Sequence, residues 1–241
     1  MRPTRVLATA VARRVLSPFV PAAQMLPFMY WLSRIEGSCE AELLHLRDVS
    51  RPSGVALDIG ANRGWYTFPM SRLFARVYAF EVNDELTDWI RDYNPGNIEI
   101  ILCGLSSTAG TARFYIPLMN GLALTGWGSL DRGNLPAATG HREKEIKLAR
   151  LDDFGIENVG FVKIDVEGHE VEVLKGAVAT IGNSRPTVLI EVRDRNLPTV
   201  ESWFHDIDYE RCSLSDFVPA AASPGNYIYV PGERLPDLHA Q

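Results

Sequence analysis

The sequence predicts an α/β domain built on a mainly parallel seven-stranded sheet, with an antiparallel last strand and helices on both faces. Three observations predict this fold. Apolar runs alternate along the chain with helical patterns, as in parallel sheets whose faces are covered. The first run breaks into a glycine turn, which is typical of the first strand in a ligand-binding α/β fold. The chain has 241 residues, which suits one domain of ordinary size with an N-terminal extension and a few insertions.

Seven segments are the predicted strands, because each is a short apolar run bounded by strong breakers. Five form the parallel part: Val55 to Ile59, Val77 to Phe80, Ile98 to Leu102, Phe161 to Asp165 and Thr187 to Val192. Two complete the sheet: Tyr209 to Ser213 and Asn226 to Val230, with Ser223-Pro224-Gly225 as the turn before the last. One helix is predicted after the fourth strand, with an apolar stripe and an end at Gly182; the stripe is Val171, Leu174, Ala177, Val178 and Ile181.

A hairpin with a long loop is predicted between the third and fourth parallel strands. Apolar and polar residues alternate in Thr111 to Ile116 and again in Glu145 to Leu148, as in an antiparallel pair. The loop between them is long and rich in glycine, and such loops are usually lids or binding elements. Residues 111–150 are therefore predicted to be an insertion that closes over a substrate, with Trp127 and Ser129 in its loop. Simple surface packing of Trp127 is the alternative.

Residues 1–50 are predicted to be a basic helical extension, and residues 51–241 the domain proper. The first 35 residues contain five arginines and no acid: Arg2, Arg5, Arg13, Arg14 and Arg34. Arginines interrupt the apolar stretch, which argues against a cleaved signal peptide, and no run approaches the ~20 residues of a spanning helix. Glu36 to Val49 has the pattern of a helix. The extension could pack on the domain or on a second subunit of a homodimer, or lie on an anionic membrane surface.

Charge and cysteine content limit the partners and the compartment. A formal net charge of −6 argues against nucleic acid as the main partner, because binding its phosphates needs a basic surface. Cys39, Cys103 and Cys212 are odd in number and form no paired metal spacing. We therefore expect a reducing, cytoplasmic compartment, with membrane association left open. Cys103 continues an apolar run and is expected to pack in the interior.

The glycine turn after the first strand predicts a nucleotide-cofactor site. Gly60 and Gly64 permit a tight turn, and Glu81 ends the second strand, where a carboxylate can accept both hydroxyls of a ribose. The three-glycine pattern of dinucleotide folds is missing, and Asn62 lies in the turn. Asp58 precedes the turn, where it would repel a pyrophosphate and attract an ammonium group. This combination favours S-adenosylmethionine; an ordinary strand, turn and helix is the alternative.

A second group of ionisable residues follows the fourth parallel strand. Asp165 emerges at the carboxyl end of that strand, where ligands bind in open parallel sheets. His169 falls in the first helical turn after it, and the helix dipole is expected to keep its imidazole neutral. Glu191 ends the neighbouring strand, so Asp165 and Glu191 could together hold Mg²⁺. Glu191 could equally hydrogen-bond a sugar or pair with a basic neighbour: Lys163, Arg193 or Arg195.

Three segments carry a resemblance to a known family. They are Leu57-Asp58-Ile59-Gly60-Ala61-Asn62-Arg63-Gly64-Trp65-Tyr66-Thr67, Phe80-Glu81-Val82-Asn83, and Lys163-Ile164-Asp165-Val166-Glu167-Gly168-His169-Glu170 followed by Val173-Leu174-Lys175-Gly176-Ala177. With them, the chain resembles the FkbM family of S-adenosylmethionine-dependent O-methyltransferases across about Val55 to Asp194. The last segment is highly specific, whereas most methyltransferases of this fold share the first in looser form. The chain departs from the family pattern at Val82, in place of a frequent proline, and at Ser107, in place of a common acid.

The resemblance implies a Rossmann-like class I methyltransferase fold and S-adenosylmethionine as cofactor. Asp58 and Gly60 would lie near the methionine part of the cofactor, and Glu81 on its ribose. Further cofactor contacts would come from the matched segments: Asn62, Gly64, Tyr66, Thr67, Val82 and Asp165. The acceptor would be an alcohol on a small molecule or glycan, commonly a sugar in glycolipids, polysaccharides or natural products.

Direct in-line transfer is the expected mechanism, with the acceptor oxygen attacking the sulfonium methyl group. His169 or Asp165 would take the hydroxyl proton, and Lys163 and Glu191 complete the candidate catalytic group. One alternative is an NAD(P)-dependent oxidoreductase, against which the missing third glycine counts. Another is a non-catalytic scaffold, which would bind S-adenosylmethionine without transferring its methyl group.

Overall fold

The computed structural model describes residues 16–50, 52, 54–134, 140–218, 221 and 226–235. The strands in these ranges are β1 (Val55–Ile59), β2 (Arg76–Phe80), β3 (Ile98–Ile101), β4 (Gly104–Leu105), β5 (Gly110–Met119), β6 (Leu122–Ala123), β7 (Gly140–Ala149), β8 (Val159–Ile164), β9 (Thr187–Glu191), β10 (Tyr209–Cys212) and β11 (Asn226–Pro231). The α-helices are α1 (Ala22–Glu36), α2 (Ala41–Leu44), α3 (Leu46–Val49), α4 (Thr67–Leu73), α5 (Asp88–Tyr93), α6 (Glu170–Lys175), α7 (Val178–Ser184) and α8 (Leu197–Asp206).

Seven strands form the main sheet in the order β10-β11-β9-β8-β1-β2-β3. The strands from β3 to β9 pair in parallel, whereas β11 is antiparallel to both of its neighbours. This confirms the predicted sheet and its antiparallel last strand. The turn predicted at Ser223-Pro224-Gly225 lies outside the described residues.

The register of the parallel strands brings their carboxyl ends to one edge of the sheet. Ile59 at the end of β1 is level with Phe80 of β2 and with Ile164 of β8. Ile164 is in turn level with Ile190 of β9. The residues that follow these positions therefore meet at one edge, and this edge carries the candidate site.

Apolar residues cover both faces of the main sheet. Leu57 and Ile59 belong to one core with Val173 of α6, while Ala56 belongs to a second core with Phe68 of α4. Successive strand residues point to opposite faces, so each central strand must be apolar at almost every position. This explains why the strands could be found in the sequence as continuous apolar runs.

The predicted hairpin forms a second sheet and is longer than expected. β5 pairs with β7 from Gly110 opposite Leu148 to Leu118 opposite Gly140, which leaves a shorter loop than the predicted one. β4 and β6 complete this sheet at its two sides. The loop folds back on the hairpin, where Tyr115 and Ser129 form a two-way backbone bridge.

The prediction of one helix from Glu36 to Val49 is wrong. Helix α1 ends at Glu36, because Gly37 has a left-handed backbone (φ +74°) that terminates the helix, and two short helices follow. Four of the predicted N-terminal arginines, Arg2, Arg5, Arg13 and Arg14, lie outside the described residues. None of the helices in the described ranges has the length and apolar character needed to cross a membrane.

The single helix predicted after β8 is also wrong, since two helices occupy that span. α6 ends at Lys175, and α7 begins at Val178 and continues past Gly182 to Ser184. A side chain at Gly176 would place its Cβ 2.0 Å from the Ser106 carbonyl oxygen, so a close approach between segments far apart in sequence accompanies the break. Val178 is half exposed rather than part of a buried stripe.

Asp152 fixes the start of α7. Its carboxylate accepts hydrogen bonds from the backbone N–H groups of Ala179 (3.1 Å) and Thr180 (2.8 Å) and from the Thr180 hydroxyl (3.0 Å). We expect Asp152→Ala to lower the free energy of unfolding by about 1–2 kcal/mol, because the first N–H groups of a helix have no acceptor within it. Urea denaturation measures this loss, with the exposed Asp153→Ala as control. Equal losses in the two variants would contradict the capping role.

Candidate active site

The glycine turn after β1 is built around a close backbone approach. Gly60 has φ +83°, and a Cβ there would lie 1.8 Å from the Asp165 carbonyl oxygen. The Asp165 N–H donates to the Ile59 carbonyl (2.9 Å), so the ends of β1 and β8 are held together. Gly64 also has a left-handed backbone, and a Cβ there would press on Ile90. Both glycines are thus required by the packing of the turn itself.

Glu81 is buried at the end of β2 and faces the glycine turn. One carboxylate oxygen accepts the Asn62 N–H (2.8 Å), and the other accepts the N–H groups of Val82 and Asn83 (both 2.8 Å). Burial raises the pKa of Glu81 even though these three donors oppose the rise. The carboxylate is therefore fixed in orientation, and each oxygen has further acceptor capacity for a ligand hydroxyl.

A cavity of about 90 Å³ lies against Glu81. Six of the predicted site residues line it: Gly60, Asn62, Glu81, Val82, Asp165 and His169. The sequence analysis did not single out its other walls: Ile59, Phe80, Leu86, Cys103, Gly104, Leu105, Phe114, Thr125, Gly126, Gly128, Leu130, Val166 and Glu167. One polar end and a mainly apolar remainder would suit a ribose and a planar base, respectively.

His169 lies beside this cavity, just before the first residue of α6. Its Nε2 atom is 3.0 Å from the Ser106 hydroxyl, a partner that sequence reasoning missed. Burial lowers the pKa of His169. The imidazole is therefore mainly neutral at pH 7, as predicted, but burial is the main cause rather than the dipole of the short helix α6.

Asp58 does not line the cavity, because it is buried beneath the glycine turn. Its carboxylate accepts a 2.5 Å hydrogen bond from the Thr67 hydroxyl at the start of α4. Burial raises the pKa of Asp58 to about 6, with the Thr67 hydrogen bond and Lys163 opposing the rise. Asp58 and Thr67 thus connect β1 to the helix that follows the turn.

The burial of Asp58 predicts a pH-dependent stability. Its pKa is about 6 in the folded protein and 3.8 when unperturbed, so burying it costs nothing below about pH 4 and most above pH 6. Asp58→Asn keeps an acceptor for Thr67 and removes the charge. We expect the stability of this variant, relative to wild type, to rise by on the order of 2–3 kcal/mol between about pH 4 and pH 8. Parallel curves of unfolding free energy against pH would contradict this account.

Lys163 belongs to a second polar group, on the other side of β8 from the cavity lining. It is buried, donates to Asn226 Oδ1 (3.1 Å) and lies over the Tyr66 ring at 5.1 Å. Glu40 accepts from the Tyr66 hydroxyl (2.6 Å) and from Asn226 Nδ2 (3.1 Å). Sequence reasoning missed Glu40 and Asn226, because neither lies in a recognisable motif.

Glu191 and Asp165 lie close enough to influence each other's charge. Burial raises the pKa of Glu191 to about 7, and the Asp165 carboxylate is the next cause. Neither arginine proposed as a partner for Glu191 is paired with it, since Arg193 binds Glu167 and Arg195 binds Asp131. Within the described ranges, no group of three His, Cys, Asp or Glu side chains is arranged to hold a metal ion. The predicted Mg²⁺ therefore gains no support from the described residues.

The loop residues predicted to cover a substrate occupy two different positions. The Ser129 hydroxyl is buried and donates to the Glu167 carbonyl (3.0 Å). Trp127 is 59% exposed, and it does not line the cavity. The backbone of Gly126 reaches the cavity, where its carbonyl accepts from Asn62 Nδ2 at 3.5 Å.

Comparison with known proteins gives the relatives of this chain. Residues 58–213 match the family model described as the methyltransferase FkbM domain. Hexuronic acid methyltransferase AglP of Haloferax volcanii is 28% identical over 151 residues, which are 61% of this chain and 59% of that protein. Methyltransferase sdnD of Sordaria araneosa is 30% identical over 185 residues, covering 61% of this chain and 71% of that protein.

A solved structure shares the fold. The crystal structure of the FkbM methyltransferase from Methylobacillus flagellatus KT has a TM-score of 0.50 at 18% identity, over 91% of this chain and 60% of that one. This chain therefore spans about three fifths of that protein, and 59% of AglP. The family model covers more than half of the chain, from the glycine turn through the second cluster of ionisable residues. The chain belongs to the FkbM methyltransferase family, and its seven-stranded sheet is the Rossmann-like fold of class I methyltransferases.

Proposed function

We propose that this protein is an S-adenosylmethionine-dependent O-methyltransferase that methylates a hydroxyl group on a sugar of a glycolipid, polysaccharide or glycosylated natural product. The observation that carries the proposal is the Glu81 carboxylate, fixed by three backbone N–H groups beside a cavity that Asp165 and His169 also line. Family membership supports methyl transfer, and the printed activity of AglP, a hexuronic acid methyltransferase, supports a sugar acceptor.

The cavity residues fit the parts of this cofactor. Glu81 offers two oriented oxygens for the ribose hydroxyls. Leu105 and Phe114 line the cavity with apolar surface suited to the adenine, and Gly104 leaves room that a side chain would fill. Asp165, where β8 ends, lies toward the methionine part. Asp58 contributes from below the turn as a positioning residue, through Thr67 and the backbone that both support.

When bound, the cofactor supplies a methyl group on a sulfonium, which leaves as a neutral thioether. The residues of this chain have three tasks, which are to align the acceptor hydroxyl, to exclude water and to take one proton. Asp165 and Glu191 are two adjacent carboxylates, and the pKa of Glu191, about 7, suits proton uptake near neutral pH. His169 is the alternative proton acceptor, since its imidazole is neutral and beside the cavity.

The proton acceptor can be assigned by three matched replacements. We expect Asp165→Asn, Glu191→Gln or His169→Gln to lower kcat by about a hundredfold or more if that residue takes the proton, with cofactor affinity unchanged. The exposed histidine variant His205→Gln on α8 is the control. A His169→Gln enzyme with full turnover would remove the histidine from the mechanism, and the same holds for each carboxylate.

Radiolabelled methyl transfer tests the proposed function as a whole. The protein and methyl-labelled S-adenosylmethionine are incubated with glycolipid and polysaccharide extracts, with and without a chelator. We expect label in a sugar-containing product that survives base treatment, as a methyl ether does and a methyl ester does not. Equal incorporation with the chelator would argue against a required Mg²⁺. Saturable cofactor binding without transfer to any extract would favour the scaffold alternative.

We further propose that the loop between β6 and β7 is a lid. Its backbone carbonyls at Thr125 and Gly126 accept from Asn83 and Asn62, two residues next to Glu81. The cavity of about 90 Å³ is smaller than the ~300 Å³ at which ligand pockets begin, so the loop must shift for a cofactor to enter. Hydrogen exchange should slow at Leu124 to Leu130 when S-adenosylhomocysteine is added. Unchanged exchange there, with slowing at Glu81, would contradict the lid.

A further inference from the structure

Exposed apolar side chains are concentrated in the N-terminal helices. Five of the eleven large hydrophobic residues that are exposed among the described residues lie between Leu16 and Leu44. Trp31 on α1 is 50% exposed and Ile35, one turn later, 62%. Scattered exposed hydrophobics need no explanation, but a cluster on one element marks an interaction surface.

Two adjoining hollows run beside this cluster. Their volumes are about 610 and 180 Å³, and they share Trp31, Phe68 and Arg72, so they form one continuous groove between α1 and α4. We call it the arginine groove, because Arg34, Arg47 and Arg72 lie along it beside Trp31, Leu44 and Phe68. None of the described residues that line it is acidic.

The three arginines are available to an anionic partner. Arg34 lies over the Trp31 ring at 4.9 Å, and Arg72 lies 5.9 Å from the Phe68 ring centre. Within the described part of the chain, the ion pairs of arginine with carboxylates lie elsewhere, at residues such as Arg76, Arg113 and Arg211. The groove is therefore a local positive surface on a chain whose formal net charge is −6.

We propose that the arginine groove docks this protein on the anionic surface of a lipid bilayer. The apolar walls would enter the interfacial region, where Trp is favoured, and the arginines would meet lipid phosphates. Charge complementarity selects this occupant over two others. Residues 1–15 carry four arginines and no acid, so their charge opposes the groove. A second copy bound through the same face would place arginine against arginine.

Docking through this groove would also place the candidate site near the membrane. Helix α4, one wall of the groove, begins at Thr67, directly after Tyr66. Glu40 follows α1, the other wall, and binds the Tyr66 hydroxyl. An acceptor whose sugar is attached to a lipid could reach this edge from the bilayer. The docking itself does not depend on methyl transfer, and its test measures vesicle binding alone.

Vesicle sedimentation of the full chain tests the proposal. We expect binding to vesicles of equal parts phosphatidylcholine and phosphatidylglycerol, weakening with salt, and little binding to phosphatidylcholine alone. The triple variant Arg34→Gln, Arg47→Gln and Arg72→Gln should bind on the order of a hundredfold more weakly. The charge-matched control Arg76→Gln, Arg113→Gln and Arg211→Gln should bind within about threefold of wild type, because these arginines lie away from the groove.

Two further variants keep the test decisive. Trp31→Ser and Ile35→Ser change exposed side chains, so they should fold, and each should weaken binding several-fold if the apolar wall enters the interface. A variant with Arg2, Arg5, Arg13 and Arg14 replaced by glutamine separates the groove from the N-terminal segment. The proposal fails if wild type does not bind anionic vesicles, or if only this last variant loses binding. It also fails if wild type is a dimer that Trp31→Ser dissociates and that binds no vesicles.

Discussion

Replacement of Gly60 by alanine should lower the free energy of unfolding by about 4 kcal/mol or more. The backbone at Gly60 has φ +83°, which a residue with a Cβ adopts at a cost of about 1–2 kcal/mol. The added Cβ would also lie 1.8 Å from the Asp165 carbonyl oxygen. That oxygen belongs to backbone held by the bond between Asp165 N–H and the Ile59 carbonyl, so it cannot move without separating β1 from β8. Forcing the two apart should cost about 3 kcal/mol more.

Two other glycines separate the causes of this loss. Gly96 has φ +98° with no atom within 4 Å of its missing Cβ, so Gly96→Ala should cost only the backbone term, about 1–2 kcal/mol. Gly182 lies inside α7 with open space around it and no left-handed backbone, so Gly182→Ala should be neutral or stabilising by up to about 1 kcal/mol. Urea denaturation of the three variants gives the comparison. A Gly60→Ala protein as stable as Gly96→Ala would show that the close approach to Asp165 is absent.

Replacement of Glu81 by glutamine should weaken the binding of S-adenosylhomocysteine by at least about a hundredfold. The carboxylate accepts three backbone N–H groups, on both of its oxygens. A glutamine side chain turns an NH₂ group toward one set of these donors, which leaves at least one buried donor unsatisfied at a cost of about 1–3 kcal/mol. It also loses one acceptor for the ribose hydroxyls that the proposed function assigns to Glu81.

A nearby exposed carboxylate provides the control for this variant. Glu85 lies four residues later and forms a surface ion pair with Arg142. Glu85→Gln should change both stability and ligand affinity by less than about 1 kcal/mol, because exposed ion pairs contribute little. Calorimetric titration gives the affinities and thermal unfolding gives the stabilities. A folded Glu81→Gln protein with the affinity of wild type would remove Glu81 from the cofactor site.

The main sheet could be predicted from the sequence because its strands are buried on both faces. Leu57 and Ala56 pack into different cores, so the whole of β1 is apolar and visible as a run. The helix boundaries could not be predicted equally well. Gly37 ends α1 through a left-handed backbone, a signal that was present in the sequence but was placed inside no helix. The break at Gly176 depends on Ser106, which is distant in sequence and can be found only in the folded chain.

The candidate site divides in the same way. Gly60, Glu81, Asp165 and His169 were found because each lies at the end of an apolar run and their strands are neighbours. Ser106 could not be found, because its contact with His169 spans 63 positions. The bond between Asn226 and Glu40 spans 186 positions and joins the two ends of the chain. Local patterns thus identified the strand ends, whereas contacts between distant segments required the structure.

Calorimetric titration of the wild-type protein with S-adenosylhomocysteine, in parallel with NADH, tests the central claim most directly. The account predicts saturable heat from one S-adenosylhomocysteine per chain and none from NADH, because Glu81 and the Gly60 turn form a site for a ribose beside an amino-acid moiety. Folded protein that gives no heat with S-adenosylhomocysteine, or that binds NADH instead, would contradict it.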